Sequence, residues 1–207
     1  MFSNKYDVIV VGAGHAGVEA VTMASRLGMR AAIVTFDMGD IGTLSCNPAM
    51  GGLGKGHLIR EIDALGGLIG MASDKSGIQF KVLNKTRGAA VQGPRAQIDR
   101  NLYKRNMMNL LKKENIAIIE DEVEDIKTET FKGNINVSGI ALVKHGILSC
   151  KSVVITTGTF LGGKIYRGKS KYIQEYRRSY YNEIMGLGRA HGLMGPWACL
   201  LYTSDSS

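Results

Sequence analysis

Apolar positions fall into short blocks, and the spacing of each block predicts an element. Tyr6–Val11 (YDVIVV) is nearly all apolar and β-branched, the pattern of a strand buried on both faces. GAGHAG follows at once, Val18–Leu27 carries a helical period ending at Gly28, and Ala31–Thr35 (AAIVT) is a second buried strand. Residues 6–35 thus read as a βαβ unit of the usual size, roughly 30 residues.

Beyond it the chain from Phe36 to Gly56 is glycine-rich and aperiodic. His57–Leu65 predicts a helix with Leu58, Ile59, Ile62 and Leu65 on one face. Ile78–Leu83 predicts a strand and Gly88–Pro94 a loop. Arg95–Glu114 is the longest helix candidate, with Ile98, Leu102 and Leu110 inward and a basic outer face. Ile116–Ile119 predicts a strand, and Val123–Cys150, with a turn signal at His145-Gly146, an antiparallel meander. Ser152–Thr156 returns to the buried-strand pattern and runs into Thr157-Gly158. After about Lys171 tyrosines and charges alternate without a period.

Composition changes this picture in two places. Glycine is frequent, 27 of 207 residues, without a collagen period or Pro/Ser enrichment, which points to tight turns rather than disorder. The formal net charge of +8 favours an anionic partner, nucleotide or nucleic acid, although a solvated basic surface would have the same composition. Cys46, Cys150 and Cys199 have no CxxC spacing, so neither a disulfide framework nor a metal site is read from them. The start lacks a signal-peptide pattern and no apolar run approaches the ~18 residues of a membrane span; a cytoplasmic protein is expected.

The chemistry concentrates in the glycine turns. Gly12-Ala13-Gly14-His15-Ala16-Gly17 is GxGxxG between a buried strand and a helix. In that context Gly12 permits the turn, Gly14 lets a pyrophosphate approach the backbone, and Gly17 allows helix–strand packing, while the helix N-terminus offers free N–H groups. The second strand ends in Thr35 rather than the acidic residue that usually takes the ribose hydroxyls; Thr35 can still bond a ribose, and FAD and NAD stay open on the motif alone. Ser45-Cys46-Asn47-Pro48, followed by Gly51, Gly52, Gly54, Lys55, Gly56 and His57, is a dense loop that can turn amides and one cation toward a ligand. It is not a Walker A loop, because Gly56 follows the lysine. Cys46 is either a reactive thiol beside a cofactor or a small buried hydrophobe. Arg87, Arg95, Arg100, Lys104 and Arg105 form a basic stretch that reads as phosphate recognition or as a solvated helix face.

GAGHAG, SCNPAMGGLGKGH, EIDALGG, GIQF, LNKTRGAAV…RAQIDR and TGTFLGGKIYRG occur in this order. The series resembles the N-terminal part of the MnmG (GidA) family, the FAD subunit of the tRNA wobble-uridine modification enzyme, over residues 1–170. One departure is Ala89, where the family usually has proline. The resemblance implies an α/β fold: a Rossmann-like FAD-binding domain of the glutathione-reductase type with an inserted antiparallel β-meander, incomplete in this chain. It implies FAD as cofactor, NADH as reductant and methylene-tetrahydrofolate as carbon donor. It also implies a GTPase partner (MnmE), tRNA as substrate, a homodimer, no membrane, and an aminomethyl or carboxymethylaminomethyl uridine product. By position, Gly12–Gly17 would hold the pyrophosphate and Val123 would meet the adenine end through its backbone. Thr157 and Gly158 would edge the flavin, and Cys46 would be the family's cysteine near the isoalloxazine, the one catalytic candidate. Residues 171–207 are expected to be a mobile, non-family tail, and the chain by itself to be inactive in tRNA modification. Two rival readings are a folate- and FAD-dependent tRNA uridine methyltransferase, not expected to carry SCNPAMGGLGKGH, and a non-catalytic nucleotide-binding module.

Overall fold

The structure, a computed structural model, describes residues 4–44, 47–158, 164–167, 170–173 and 200–203. Strands β1 (Lys5–Val11) and β2 (Ala31–Thr35) flank helix α1 (His15–Arg26), the βαβ unit the apolar pattern predicts. The chain continues through β3 (Ala49–Gly51), α2 (Lys55–Ala64), α3 (Leu68–Asp74), β4 (Gly77–Leu83), β5 (Gly93–Ile98) and α4 (Arg100–Leu111). It then forms β6 (Ile116–Glu120), β7 (Val123–Phe131), β8 (Asn134–Leu142) and β9 (Gly146–Ile155), with the short strands β10 (Lys164–Arg167), β11 (Ser170–Ile173) and β12 (Leu200–Thr203) beyond.

The main sheet has the order β6-β2-β1-β9-β8-β7, with β12 also paired to β9. β6, β2, β1 and β9 run parallel, so their C-terminal ends share one edge. Alternation along β1 explains why its apolar run is unbroken. Val8 and Val10 join a core with α1, α3 and α4, whereas Ile9 and Val11 join a second core with Val137, Ile140, Leu142 and Leu148 of the meander. Both faces are dry, as parallel strands require.

β9 differs from the sequence reading, which separates the meander from the strand at Ser152–Thr156. It is one strand: Gly146–Ser149 pairs antiparallel with β8, and Ser149–Ile155 pairs parallel with β1. The exposed residues of its first half hide this continuity, because only its far end is buried on both faces.

The long helix is also shorter than its periodicity suggests. Residues 93–98 form β5, centre of a second sheet in the order β3-β5-β4, and the helix starts at Arg100. Asp99 sets that start: its carboxylate accepts from the Leu102 amide at 2.8 Å. The inward face is Tyr103, Met107, Leu110 and Leu111; Leu102 is only half-buried. On α2, Ile59 and Ile62 pack on the core, but Leu58 and Leu65 are exposed.

Helix α3 has no counterpart in the sequence reading. Its first amides are capped from far away: Glu19 of α1, itself buried, accepts from Leu68 and Ile69 N–H at 2.9 and 2.7 Å. Burial pushes the Glu19 carboxyl up, against the pull of these two amides. Arg26, at the end of α1, donates to the Gly66 carbonyl and pairs with Glu114, tying α1 to the turn before α3 and the end of α4.

Candidate nucleotide-binding site

The glycine turn lies at the C-terminal edge of the parallel strands, where open α/β sheets bind ligands. Gly12 follows β1 with φ +99°, and a Cβ there would lie 2.6 Å from the Thr156 carbonyl oxygen. A Cβ at Gly17 would lie 1.9 Å from the Gly12 oxygen and 2.7 Å from Thr156 Oγ1. Gly14 is different: no heavy atom lies within 4 Å of its Cβ position, in backbone any residue adopts (φ −68°, ψ −175°). Two glycines are therefore dictated by the fold, and the third faces open space that a side chain would enter.

Gly14 is the N-cap of α1 and supplies no side-chain cap. The first-turn amides of such a helix lack intrahelical acceptors, and the helix dipole adds positive potential there. Residues Gly12–Gly17 thus fit a pyrophosphate. Ala13 is buried and Ala16 exposed, and the Ala13 carbonyl accepts from Gly42 N–H at 3.1 Å, which draws the following loop against the turn.

Thr156, unremarked by sequence reasoning, clamps the turn. Its amide donates to the Val11 carbonyl at 2.8 Å, and its hydroxyl lies 3.0 Å from both the Val11 and Gly12 carbonyls. Its position next to the predicted pair Thr157-Gly158 was the available signal. Thr157 is half-buried and Gly158 exposed with φ +69°, both at the same sheet edge as the glycine turn.

Thr35 closes β2 at this edge. It is buried, and its hydroxyl donates to the Asp37 carbonyl at 3.2 Å, so a ribose would meet it as an acceptor. Asp37 caps a short turn by accepting from Gly39 N–H, and Glu120 accepts from Met38 N–H at 3.1 Å. Val123 is buried at the head of β7, just past the end of β6. Between them stands Asp121, the polar anchor of this edge. Its fully buried carboxylate accepts from the amides of Glu122, Lys144 and His145 and sits 2.6 Å from His145 Nδ1. Burial alone would raise its pKa, but the His145 ring and the three amides outweigh that and hold it below the ordinary carboxylate range.

His15, in the first turn of α1, lies against Tyr103 with ring centroids 5.7 Å apart. Burial, reinforced by the charge of Lys55, pulls its pKa from 6.5 down to about 4. Its Nε2 and the Tyr103 hydroxyl are buried and make no hydrogen bond among the described residues. Lys55 does not reach outward as a bare point charge; its Nζ donates to the Ala49 carbonyl at 3.2 Å. Cys46 lies outside the described residues.

The neutral His15 makes stability depend on pH. As pH falls from 6.5 toward 4 the unfolded chain protonates this imidazole and the folded one does not, so stability is lost across that window, at most on the order of 3 kcal/mol. The raised Glu19 carboxyl works oppositely, favouring the fold as pH drops toward 4.5. Urea unfolding of wild type and His15→Gln from pH 7 to 4 separates the two. The variant should lose the acid-side decline that belongs to His15, and parallel curves would show that this histidine does not stay neutral.

A parallel sheet with a phosphate-ready glycine turn at its C-terminal edge, a crossover helix and an antiparallel meander packed on the other face defines a Rossmann-like FAD-binding domain of α/β class. The family model of glucose inhibited division protein A matches residues 7–184, and the chain belongs to that family. The match runs past residue 170, where the sequence motifs end. GidA of Aquifex aeolicus superposes with a TM-score of 0.75 at 46% identity, covering 81% of this chain and 28% of that one. A second crystal form of it gives 0.74 at 45% identity, covering 82% and 28%. THI4 of Thermovibrio ammonificans, 18% identical over 75% of this chain and 58% of that one, shares the fold with a TM-score of 0.52. The chain therefore spans just over a quarter of the GidA chains it matches. Among the described residues no helix is long and apolar enough to cross a membrane.

Proposed function

We propose that this chain is the FAD-binding part of a flavoprotein that modifies tRNA. Together with a GTPase partner of the MnmE type, it would add an aminomethyl or carboxymethylaminomethyl group to C5 of the wobble uridine. The carrying observation is the GxGxxG turn between β1 and α1, with Gly12 and Gly17 fixed by close backbone contacts and Gly14 facing open space at the C-terminal edge of the parallel strands. In this reading Gly12–Gly17 hold the pyrophosphate, Thr35 accepts from a ribose hydroxyl, and the backbone of Val123 meets the adenine. The bound flavin would supply redox chemistry, with NADH as reductant and methylene-tetrahydrofolate as carbon donor. The protein's share is to bind and orient it and to keep water from the dry faces of β1 and β9. Cytoplasmic location and a homodimer complete the proposal.

The flavin is tested by absorbance of the purified chain in the visible flavin bands, with and without added FAD. Protein that neither retains nor takes up flavin would refute the cofactor assignment. Uridine chemistry is tested on tRNA incubated with the whole protein, the GTPase and the proposed cosubstrates, by the mass of the wobble nucleoside. A methyl increment alone would favour the methyltransferase reading.

Cys46 gives an independent measure. If it lies beside the flavin, a thiol reagent should label it in apoprotein and label it more slowly with FAD present. Cys150 is a built-in control, since it is buried and its thiol is pushed up to about 12 by burial. Equal labelling of Cys46 with and without FAD would remove it from the site.

A further inference from the structure

The chain's excess of positive charge sits in one segment. Residues 75–113, which run through β4, β5 and α4, hold ten of the 26 lysines and arginines but one of the 18 aspartates and glutamates. The segment is therefore net +9 where the whole chain is net +8, and the rest of the chain is net −1. Its one carboxylate, Asp99, is engaged in capping α4. A basic segment of this kind is the electrostatic footprint of an anionic partner when its cations have no partners of their own.

In α4 the cations have ordinary reasons. Lys112 and Lys113 stand at its C-terminal end, where the helix dipole favours positive charge, and Lys104 and Arg105 lie off its buried face. The hairpin of β4 and β5 has no such explanation. Pairing across it sets Gln79 opposite Gln97 and Lys81 opposite Arg95, all four on one face of the second sheet. Phe80, opposite Ala96, belongs to the other face, which sends Met50, Ala96 and Ile98 into the core with residues of α2 and α3. Directly opposite residues have Cβ atoms about 5 Å apart, and like charges there repel. None of Lys81, Lys85, Arg87 and Arg95 makes an ion pair among the described residues.

The loop 84–92 that joins the two strands is braced. Asn84 takes φ +57°, and its side-chain amide donates to the Val91 carbonyl at 3.0 Å. The Gln92 amide donates to the carbonyls of Lys85 and Arg87 at 3.2 and 2.9 Å. Both cations are thus carried, exposed, on a fixed turn at the end of the same hairpin.

Two features of the hairpin choose among anions. Four cations along it exceed what one carboxylate or one free phosphate needs, and they match the repeated charges of a nucleic-acid backbone. Among the described residues of the face that holds Lys81 and Arg95 none is aromatic, so it offers no platform for stacking unpaired bases. Cations and amides alone suit a double-helical stem, where contacts go to phosphates and 2′-hydroxyls.

We propose that the outer face of the β4–β5 hairpin docks a double-helical stem of RNA. Lys81 and Arg95 hold neighbouring phosphates, Gln79 and Gln97 bond phosphate oxygens or 2′-hydroxyls, and Lys85 and Arg87 reach the same stem from the turn. The proposal rests on the reading of a tRNA substrate and gives a stem of that substrate a place on the protein. It also divides the basic stretch of the sequence: Arg87 and Arg95 belong to the hairpin, and Arg100, Lys104 and Arg105 belong to α4.

This division supplies a charge-matched control. Fluorescence anisotropy of a labelled RNA stem-loop, titrated with the purified protein over a range of salt, would compare wild type, K81Q/R95Q, Q79A/Q97A and K104Q/R105Q. Each is checked for fold by circular dichroism and for flavin by absorbance, and neither should change. K81Q/R95Q should reduce the slope of log affinity against log salt by about 1.8, a loss of about 60-fold at ~0.1 M salt. Q79A/Q97A should weaken binding less and leave the slope unchanged, because amides release no counterions. K104Q/R105Q should have a markedly smaller effect than K81Q/R95Q. If wild type binds the stem-loop and K81Q/R95Q keeps its affinity and slope, or K104Q/R105Q loses as much or more, the location is wrong. Tighter binding to an unstructured oligouridylate than to the stem-loop overturns the stem. Displacement of the RNA by polyglutamate at equal charge makes the face a site for acidic protein and overturns the proposal as well. If wild type binds no RNA, the proposal falls, while the tRNA reading is judged separately by the mass of the wobble nucleoside made by the whole protein.

Discussion

Gly17→Ala is expected to lose the fold and Gly14→Val only the nucleotide, although both change one glycine of the same turn. At Gly17 the new methyl would sit 1.9 Å from the Gly12 carbonyl oxygen and 2.7 Å from Thr156 Oγ1. The first neighbour is backbone, so no rotamer relieves the clash. Relief requires α1 to move off β1, which would also break the Thr156 contacts. Overpacking typically costs ~1–3 kcal/mol, and a backbone clash inside the crossover belongs at or above the upper end. At Gly14 the side chain meets nothing within 4 Å and the backbone already suits a branched residue. Valine there should cost about 1 kcal/mol as a poorer N-cap than glycine, while its methyls would occupy the proposed place of the pyrophosphate. Urea midpoints and flavin retention, measured on both variants, separate the effects. Undiminished flavin in Gly14→Val would show that the glycine turn is not the phosphate site. A wild-type midpoint in Gly17→Ala would show that the helix has room the geometry denies.

The second large effect is expected at Asp121. Its carboxylate is fully buried and holds the amides of Glu122, Lys144 and His145 together with the His145 ring. Asp121→Ala leaves those donors without an acceptor, at ~1–3 kcal/mol for each that stays buried, so a loss on the order of 3 kcal/mol or more is expected. Asp121→Asn keeps one carbonyl acceptor and should cost about half as much. Because the folded carboxyl titrates below its ordinary range, its contribution is present at neutral pH and is lost as pH falls through the acid range below 3.8. Hydrogen exchange is the decisive measurement. In Asp121→Ala the amides of Lys144 and His145 should exchange faster than those of α1. Uniform acceleration would mean that Asp121 supports the whole fold rather than the join between β6 and the meander.

The βαβ unit was legible because each of its parts is local. β1 and β2 are buried on both faces and so cannot be anything but apolar, and Gly12 and Gly17 are forced by contacts within the unit and with its neighbouring strand. β5 was not legible, because GPRAQI belongs to a sheet whose faces are half open and carries Pro94, Arg95 and Gln97 outward. α3 escaped because its cap, Glu19, lies 49 positions away, a partner no window along the chain can include. Asp99 was legible in principle, as an N-cap ahead of α4, but the helical spacing of the apolar residues before it concealed the break. Within the site, Gly12–Gly17 announced themselves by spacing. Thr156 and Asp121 act only once the order β6-β2-β1-β9 is known.

The continuity of β9 bears on the order in which the molecule assembles. β1 and β2 are joined by a short crossover, whereas the Thr156 clamp on Val11 and Gly12 closes spans of 145 and 144 residues. Closing a longer loop costs about 0.6 kcal/mol more for each doubling of its length, and non-local pairing is slow to form. During synthesis the glycine turn therefore emerges early with its helix but stays unclamped until β9 has been made, drawn in beside β1 and anchored through the meander. On the proposed reading, affinity for the nucleotide is then a late property of the folding chain, and a ligand held by the finished turn would stabilise the pairing of β1 with β9 by mass action.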